Sequence, residues 1–200
     1  VGGGEDHGVA SRGTDEYLGV IDVPQTQEDE GIAAVGRVRH LRASCTKPSP
    51  AGALIAQYRD FLDGLPDPAP VVEWGLAWLA GNAPPAGAIV LCHRDFRTGN
   101  YLVEDGHLLA VLDWEFSGLG DPDEDLGWFL ARCWRFGRIE REAGGIGAGE
   151  AFLAAYQQAS GRRVDRDRLR FWDVMAHVRW AVIALQQAER HSSGAEDSLE

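Results

Sequence analysis

After a boundary at Pro48-Ser49-Pro50, apolar side chains recur at spacings of three and four residues in two segments, which is the period of an amphipathic helix. The first segment contains Leu54, Ile55, Tyr58, Phe61, Leu62 and Leu65. The second contains Val71, Val72, Leu76, Trp78 and Leu79. Gly64 and Pro66 end the first segment, and Asn82 and Pro84-Pro85 end the second. The pattern predicts two helices whose aromatic residues pack in a core.

A wholly apolar run, Ala88-Ile89-Val90-Leu91-Cys92, is bounded by turn residues and predicts a short buried strand. Two further strand-like runs, 100–104 and 107–112, flank Asp105-Gly106. An Asp-Gly pair indicates a hairpin, because both central positions of a type I′ turn need a positive φ. We expect the three runs to form one small sheet. Its ends carry three polar residues, Asp95, Asn100 and Asp113.

The pattern turns helical after the hairpin. Asp121-Pro122-Asp123-Glu124-Asp125 places acidic residues where a helix N-terminus favours negative charge, and apolar residues of one face continue through 126–134. Beyond a linker at Gly144-Gly145-Ile146-Gly147, helices are predicted around 152–156 and from Asp165 to about Arg190. Together with the hairpin, these helices predict an α+β fold that is mostly helical.

The first part of the chain lacks a sustained period. Residues 1–48 are rich in Gly and acidic residues, which predicts an irregular segment. We expect one domain over residues 49–191 and a frayed tail over 192–200. A chain of 200 residues with 44% hydrophobic and 25% charged residues has the composition of an ordinary soluble globular protein with a real core.

The charge balance excludes one class of partner. The chain has 31 acidic and 19 basic residues and a formal net charge of −12. Nucleic-acid binding requires a basic face, whereas the arginines here alternate with acidic residues. Examples are Arg132, Arg135, Arg138 and Arg141. We expect no nucleic-acid partner.

Three further features predict a cytoplasmic protein without a membrane partner. No apolar run is long enough to span a bilayer, and Val1-Gly2-Gly3-Gly4-Glu5-Asp6 lacks the order of a signal peptide. Cys45, Cys92 and Cys133 are odd in number and far apart, which favours free thiols in a reducing compartment. The chain also begins without Met, which indicates a fragment or a processed product.

The polar residues around the predicted strands fit phosphoryl transfer, in which catalysis is mostly positioning and neutralisation of charge. Asp95 suits the task of orienting an acceptor hydroxyl, and Asn100 and Asp113 are hard oxygen ligands of the kind Mg²⁺ prefers. Arg97 can offer bidentate donors to phosphate oxygens. Alternatively, Arg97 pairs with a nearby acid such as Asp113.

These residues carry a resemblance to a known family. His93-Arg94-Asp95-Phe96-Arg97-Thr98-Gly99-Asn100 matches the kinase catalytic-loop pattern H-R-D-x-x-x-x-N, and Asp113-Trp114-Glu115 stands where D-F-G would. The chain resembles the aminoglycoside phosphotransferase and choline kinase family over about residues 50–190, and the specific part of this resemblance is 89–137. Within that family it resembles the branch related to the kinase-like domain attached to some acyl-CoA dehydrogenases, through Leu-Asp-Trp-Glu-Phe, Gly-Asp-Pro and Asp-Leu-Gly-Trp.

The resemblance implies a protein-kinase-like C-terminal lobe in which the hairpin carries the catalytic loop. It implies transfer of the γ-phosphate of ATP or GTP to a hydroxyl of a small molecule, with Mg²⁺. It assigns Asp95 as the catalytic aspartate, Asn100 and Asp113 as magnesium and nucleotide ligands, and Glu115 as an outer ligand. His93 becomes a support of the loop, and Asp125 an acidic brace at a helix start.

The chain departs from the family at its beginning. A full member starts with a β-rich lobe that carries a nucleotide-covering loop and a strand lysine, whereas the single lysine here, Lys47, precedes Pro48. Gly2-Gly3-Gly4 is not a phosphate-covering loop. We therefore expect the N-terminal lobe to be missing or degenerate, and this chain alone to bind Mg-nucleotide weakly. Arg94 also stands where the family usually has Gly or Asn.

Two alternatives stay open. The chain could be a catalytically incomplete kinase-like lobe that acts as a binding module or is a gene fragment. More remotely, His93, Asp95 and a distant His177 could form the facial triad of a non-haem iron oxygenase. The sequence also leaves open the phosphate acceptor, the choice between ATP and GTP, and the oligomeric state.

Overall fold

The computed structural model describes residues 51–194, which form five helices, four short strands and two 3₁₀ helices. The helices are α1 Ala51–Asp63, α2 Pro70–Gly81, α3 Pro122–Leu130, α4 Gly149–Ser160 and α5 Arg166–Ser192. The strands are β1 Val90–Cys92, β2 Tyr101–Glu104, β3 His107–Val111 and β4 Gly118–Gly120. The 3₁₀ helices are Trp114–Phe116 and Arg132–Arg135. This content confirms the predicted α+β fold, helical for the most part.

The predicted hairpin is present. Strands β2 and β3 pair antiparallel, with Glu104 opposite His107. Asp105 and Gly106 have φ values of 50° and 80°, as a type I′ turn requires. The chain therefore reverses at the position that the Asp-Gly pair predicts.

The prediction of one three-stranded sheet was wrong, because β1 does not join the hairpin. It pairs antiparallel with β4, with Val90 opposite Gly120 and Cys92 opposite Gly118. Both glycines leave room for the Arg94 side chain, since a Cβ on Gly118 would lie 2.7 Å from Arg94 Nη1. The Gly-Leu-Gly sequence of β4 carries no strand pattern, so its pairing depends on what packs beside it.

The core lies around α5, the longest helix. Helices α1 and α2 pack on α5 through a cluster that includes Leu76, Leu79, Phe171 and Val182, each no more than 1% exposed. Asp165 begins α5 by accepting hydrogen bonds from the backbone N–H groups of 167 and 168. Helix α3, which contributes to the site described below, also packs against α5.

Helix α3 ends earlier than the sequence predicts. The apolar face was expected to continue through 134, but the backbone becomes extended at Ala131, with ψ 146°. The chain then re-forms as the 3₁₀ helix Arg132–Arg135, whose Trp134 is buried. The break redirects the chain, so that Trp134 packs against Trp128 with ring centroids 5.2 Å apart.

Several predictions fall outside the described residues. They concern the irregular segment 1–48, Lys47 and the missing or degenerate N-terminal lobe, together with residues 195–200 of the tail. The domain bounds stay predictions. Helix α5 itself extends to Ser192. Among residues 51–194, no helix is long and apolar enough to cross a membrane.

Candidate active site

A loop over residues 93–100 leaves the buried end of β1 and is fixed by a carboxylate from α3. Asp125 accepts hydrogen bonds from the backbone N–H groups of His93, at 2.7 Å, and Arg94, at 2.6 Å. Burial raises the pKa of Asp125, and these two backbone bonds partly offset that effect. Asp125 therefore braces the loop, as the family resemblance implied.

His93 links the loop to the segment that precedes Asp113. Its ring is 4% exposed, and Nε2 lies 2.7 Å from the carbonyl oxygen of Leu112, to which it can only donate. Nδ1 accepts from the backbone N–H of Asp95 at 3.2 Å. The tautomer that carries its hydrogen on Nε2 satisfies both contacts. The indole of Trp114 covers the ring, with centroids 4.6 Å apart.

Asp95 is buried, 8% exposed as a residue, and each of its carboxylate oxygens has its own donor. Trp128 Nε1 donates to Oδ1 at 2.9 Å, and Asn100 Nδ2 donates to Oδ2 at 2.7 Å. Asn100 Nδ2 also donates to the Asp95 carbonyl oxygen at 2.9 Å. The carboxylate therefore has a defined orientation before any ligand binds.

Asn100 and Asp113 come together through the backbone. The N–H of Leu112 donates to the Asn100 carbonyl oxygen at 2.8 Å, so Asp113 is the residue directly after this bond. Asp113 is exposed and has a left-handed backbone, φ 63° and ψ 58°. Asn100 is 5% exposed, and because its Nδ2 faces Asp95, its Oδ1 lies on the other side of the amide. Glu115 lies exposed on the 3₁₀ helix Trp114–Phe116.

The donor set suits a hard cation. An amide oxygen and a carboxylate from two residues match the way Mg²⁺ is held by few protein ligands, together with waters and substrate phosphates. Among residues 51–194, no group of three or more His, Cys, Asp and Glu side chains is placed to hold a metal ion. The oxygen donors of Asn100 and Asp113 are therefore of the kind that Mg²⁺ prefers.

Arg97 lies on the same side of the loop as the Asp95 carboxylate. Its Nε is 3.5 Å from Asp95 Oδ2, and its side chain is 30% exposed. The guanidinium also lies 4.9 Å from the ring centroid of Trp134. The acid beside Arg97 is therefore Asp95 and not Asp113, the alternative that the sequence left open.

The structure also shows where the unusual Arg94 goes. Its backbone has a φ of 67°, and its Nε lies 3.3 Å from Glu124 Oε1 in a buried ion pair. Its Nη2 donates to the Leu119 carbonyl oxygen at 3.0 Å, while Arg179 Nη1 donates to the Arg94 carbonyl oxygen at 2.5 Å. Burial, only partly offset by Arg94, raises the pKa of Glu124.

Sequence reasoning missed Glu124, Trp128 and Arg179. The acidic run at 121–125 predicted a helix start, but only Asp121 caps the helix, by accepting from the backbone N–H of 123. Glu124 and Asp125 are committed to the loop instead. A run of three acidic residues in the first turn of a buried helix indicates that some of them pair with residues elsewhere in the chain, because buried carboxylates need partners.

The linker at 144–147 also supports the loop. Thr98 Oγ1 donates to the Gly144 carbonyl oxygen at 2.7 Å. A Cβ on Gly144, whose φ is 57°, would lie 2.5 Å from Thr98 Oγ1 and equally close to the Phe129 ring. The glycine therefore permits a contact that fixes the end of the loop opposite the Asp125 brace.

The contacts of the two histidines disfavour the iron alternative. His177 Nε2 accepts from the backbone N–H of Arg132 at 3.2 Å, and its Nδ1 lies 2.7 Å from the Asp173 carbonyl oxygen. Both ring nitrogens of His93 are likewise engaged within the loop. In the described part of the chain, His93, Asp95 and His177 form no metal-binding group.

Similarity to solved structures identifies the fold. A protein of Ralstonia eutropha JMP134 assigned to the aminoglycoside phosphotransferases has a TM-score of 0.63 at 24% identity, over 78% of this chain and 51% of that one. Aminoglycoside-3'-phosphotransferase of type VIII has a TM-score of 0.52 at 22% identity, over 75% and 60%. These likenesses confirm the predicted kinase-like fold. The chain spans about half the length of the first of these structures.

Sequence comparison confirms the predicted relationship. Acyl-CoA dehydrogenase family member 10 of Mus musculus is 41% identical over 61 residues, which are 30% of this chain and 6% of that protein. The chain therefore matches only a small part of that relative. The sequence profile of the phosphotransferase enzyme family (APH) matches residues 33–172, well over half of the chain. This chain belongs to the phosphotransferase enzyme family.

Proposed function

We propose that this chain transfers the γ-phosphate of ATP or GTP to a hydroxyl group of a small molecule. Family membership supports phosphotransfer as the reaction class. The observation that carries the proposal is the Asp95 carboxylate, buried and oriented by donors from Trp128 and Asn100. A base that must accept or orient one hydroxyl proton needs such a fixed direction.

In this proposal Asp95 receives the acceptor hydroxyl. Each carboxylate oxygen has two lone pairs; Oδ1 accepts one hydrogen bond, from Trp128, while Oδ2 accepts from Asn100 and also lies near Arg97, so acceptor capacity remains at Oδ1. The hydroxyl would donate to a free lone pair and be held facing the phosphate. Asp95 is then positioned to take its proton as the new P–O bond forms and the bond between the γ-phosphorus and the departing nucleoside diphosphate breaks.

Asn100 and Asp113 would hold Mg²⁺, which neutralises charge on the phosphates when it is bound. The Asn100 amide has two tasks here, because its Nδ2 fixes Asp95 while its Oδ1 remains for the cation. Glu115 is proposed as an outer ligand on the neighbouring 3₁₀ helix. Arg97, half-exposed beside Asp95, would donate to phosphate oxygens.

The cellular compartment and the charge of the acceptor are also proposals. Cys92 and Cys133 are free thiols, which supports a reducing, cytoplasmic compartment. The net charge of −12 would suit a cationic acceptor such as an aminoglycoside, although it serves solubility equally well. No nucleic-acid partner is proposed.

The test is transfer of labelled γ-phosphate. The chain is incubated with ATP or GTP, Mg²⁺ and acceptors that include an aminoglycoside and choline, with and without a chelator. We expect Mg²⁺-dependent labelling of an acceptor. Binding of Mg-nucleotide by calorimetry without any transfer would favour the alternative, an incomplete lobe that acts as a binding module. If the chain neither binds Mg-nucleotide nor transfers phosphate, the proposal is contradicted.

A further inference from the structure

We infer that Trp128 is a positioning residue for the Asp95 carboxylate, an inference that rests on the proposed function. Trp128 lies on α3, far along the chain from the loop, and its Nε1–H donates to Asp95 Oδ1 at 2.9 Å. The indole is 2% exposed, so water does not compete for this bond. Trp128 itself stays behind the carboxylate and does not contact the acceptor.

The indole supplies an orientation that the loop alone does not. Asn100, the donor to Oδ2, belongs to the same loop as Asp95 and moves with it. Trp128 belongs to a helix packed on α5, so its bond to Oδ1 fixes the position of the carboxylate relative to that helix pair. Two donors on different oxygens fix rotation about the Cβ–Cγ bond, whereas one donor leaves that rotation open.

The Trp128 indole is itself held in place by one guanidinium group and one neighbouring indole ring. The guanidinium of Arg179, on α5, lies 4.5 Å from the Trp128 ring centroid, and Trp134 packs edge-on at 5.2 Å. Arg179 also donates to the Arg94 carbonyl oxygen, directly before Asp95 in the chain. Helix α5 therefore fixes the loop backbone and the indole through one side chain.

This arrangement separates an effect on the chemical step from an effect on the binding of Mg-nucleotide. An indole has a single N–H, and in Trp128 that group is used by Asp95. Its loss removes orientation of the carboxylate without removing a donor or ligand from Asn100 or Asp113. The chemical step should therefore suffer, while binding of Mg-nucleotide should not.

The test is Trp128→Phe, which keeps a buried ring and removes the N–H. Its matched control is Trp172→Phe, because Trp172 is also 2% exposed and, within residues 51–194, its Nε1 has no hydrogen-bond partner. We expect Trp128→Phe to lower kcat on the order of 10-fold, as for loss of a hydrogen bond to an ionised group, with KM for Mg-nucleotide little changed. Trp172→Phe should leave both constants near the wild-type values.

A second readout does not require activity. In amide and indole NMR spectra, Asp95→Ala should shift the Nε1–H resonance of Trp128, assigned by its loss in Trp128→Phe, and leave that of Trp172 in place. An unmoved Trp128 resonance overturns the inference, as does an equal fall of kcat in the two Phe variants. A wild-type chain without phosphotransfer contradicts the proposed function instead, and the resonance then decides the inference alone.

Discussion

Arg94 combines a strained backbone conformation with a side chain that forms a stabilising ion pair. A left-handed conformation, here φ 67°, costs a residue with a Cβ about 1–2 kcal/mol. The guanidinium, however, is the ion-pair partner of Glu124, whose side chain is 8% exposed. Removing one partner of a buried pair costs about 3–5 kcal/mol, because the remaining buried charge loses its ion-pair partner. The ion pair outweighs the backbone strain.

We therefore predict that Arg94→Gly destabilises the protein, although glycine suits the backbone. The gain in backbone energy offsets part of the lost pair, which leaves a loss of about 1–4 kcal/mol in the free energy of unfolding at pH 7. Urea denaturation measures it. Asp105→Gly is the control, since Asp105 also has a positive φ, 50°, but is exposed. Equal or greater stability of Arg94→Gly would show that the strain dominates.

Helices α3 and α5 meet so closely that the contact admits no side chain at Gly127. A Cβ there would lie 2.6 Å from the backbone carbonyl carbon of Trp172 and 2.7 Å from its oxygen. Backbone cannot move aside as a flexible side chain can. Because α3 carries Asp125 and Trp128, this spacing also sets where the loop is held.

Gly127→Ala should therefore destabilise the protein by about 2–3 kcal/mol through overpacking. Gly52→Ala is the matched control, because Gly52 lies exposed in α1 and no atom of residues 51–194 outside its immediate neighbours lies within 4 Å of its Cβ position. The control should gain about 0.5–1 kcal/mol, since alanine loses less entropy than glycine in a helix. Thermal unfolding measures the change in Tm for both variants. Equal changes in Tm would refute close packing of α3 on α5.

Local patterns predict elements, and contacts between distant residues place them. The Asp105-Gly106 turn and the helix start at Asp121 need only neighbouring residues, so the sequence predicts them correctly. Strand β4 forms because it lies beside β1, and no local pattern marks it. The loop motif predicts Asp95, Asn100 and Asp113 by spacing, but the Trp128 and Arg179 contacts join separate elements. Only packing reveals those supports.

The whole molecule is acidic, and part of that charge is buried. Among residues 51–194, burial raises the pKa values of four carboxyl groups, those of Asp123, Glu124, Asp125 and Asp173. Above the ordinary values of 3.8 for Asp and 4.5 for Glu, the unfolded chain has lost these protons while the folded chain keeps some. The folded chain then binds more protons, so its stability falls as pH rises through this window.

We predict that the free energy of unfolding decreases as pH rises from 4.5, the ordinary Glu value, toward neutrality. In Glu124→Gln the decrease should be smaller, because the buried carboxyl is removed. Glu150→Gln, at an exposed carboxylate whose side chain is 75% exposed, should leave the slope unchanged. Urea denaturation over a pH series measures all three. An identical slope in Glu124→Gln would contradict the assignment of the effect to burial.

The site as a whole depends on Asp95, so the most direct measurement is the phosphotransfer rate of Asp95→Asn beside that of Asp105→Asn. Asp105→Asn makes the same chemical change in the exposed hairpin turn, where Asn is well tolerated. We expect Asp95→Asn to lose on the order of 10²–10⁴ in rate as a general base is removed, while Asp105→Asn keeps the wild-type rate. An unchanged rate in Asp95→Asn would contradict the proposed function of this loop.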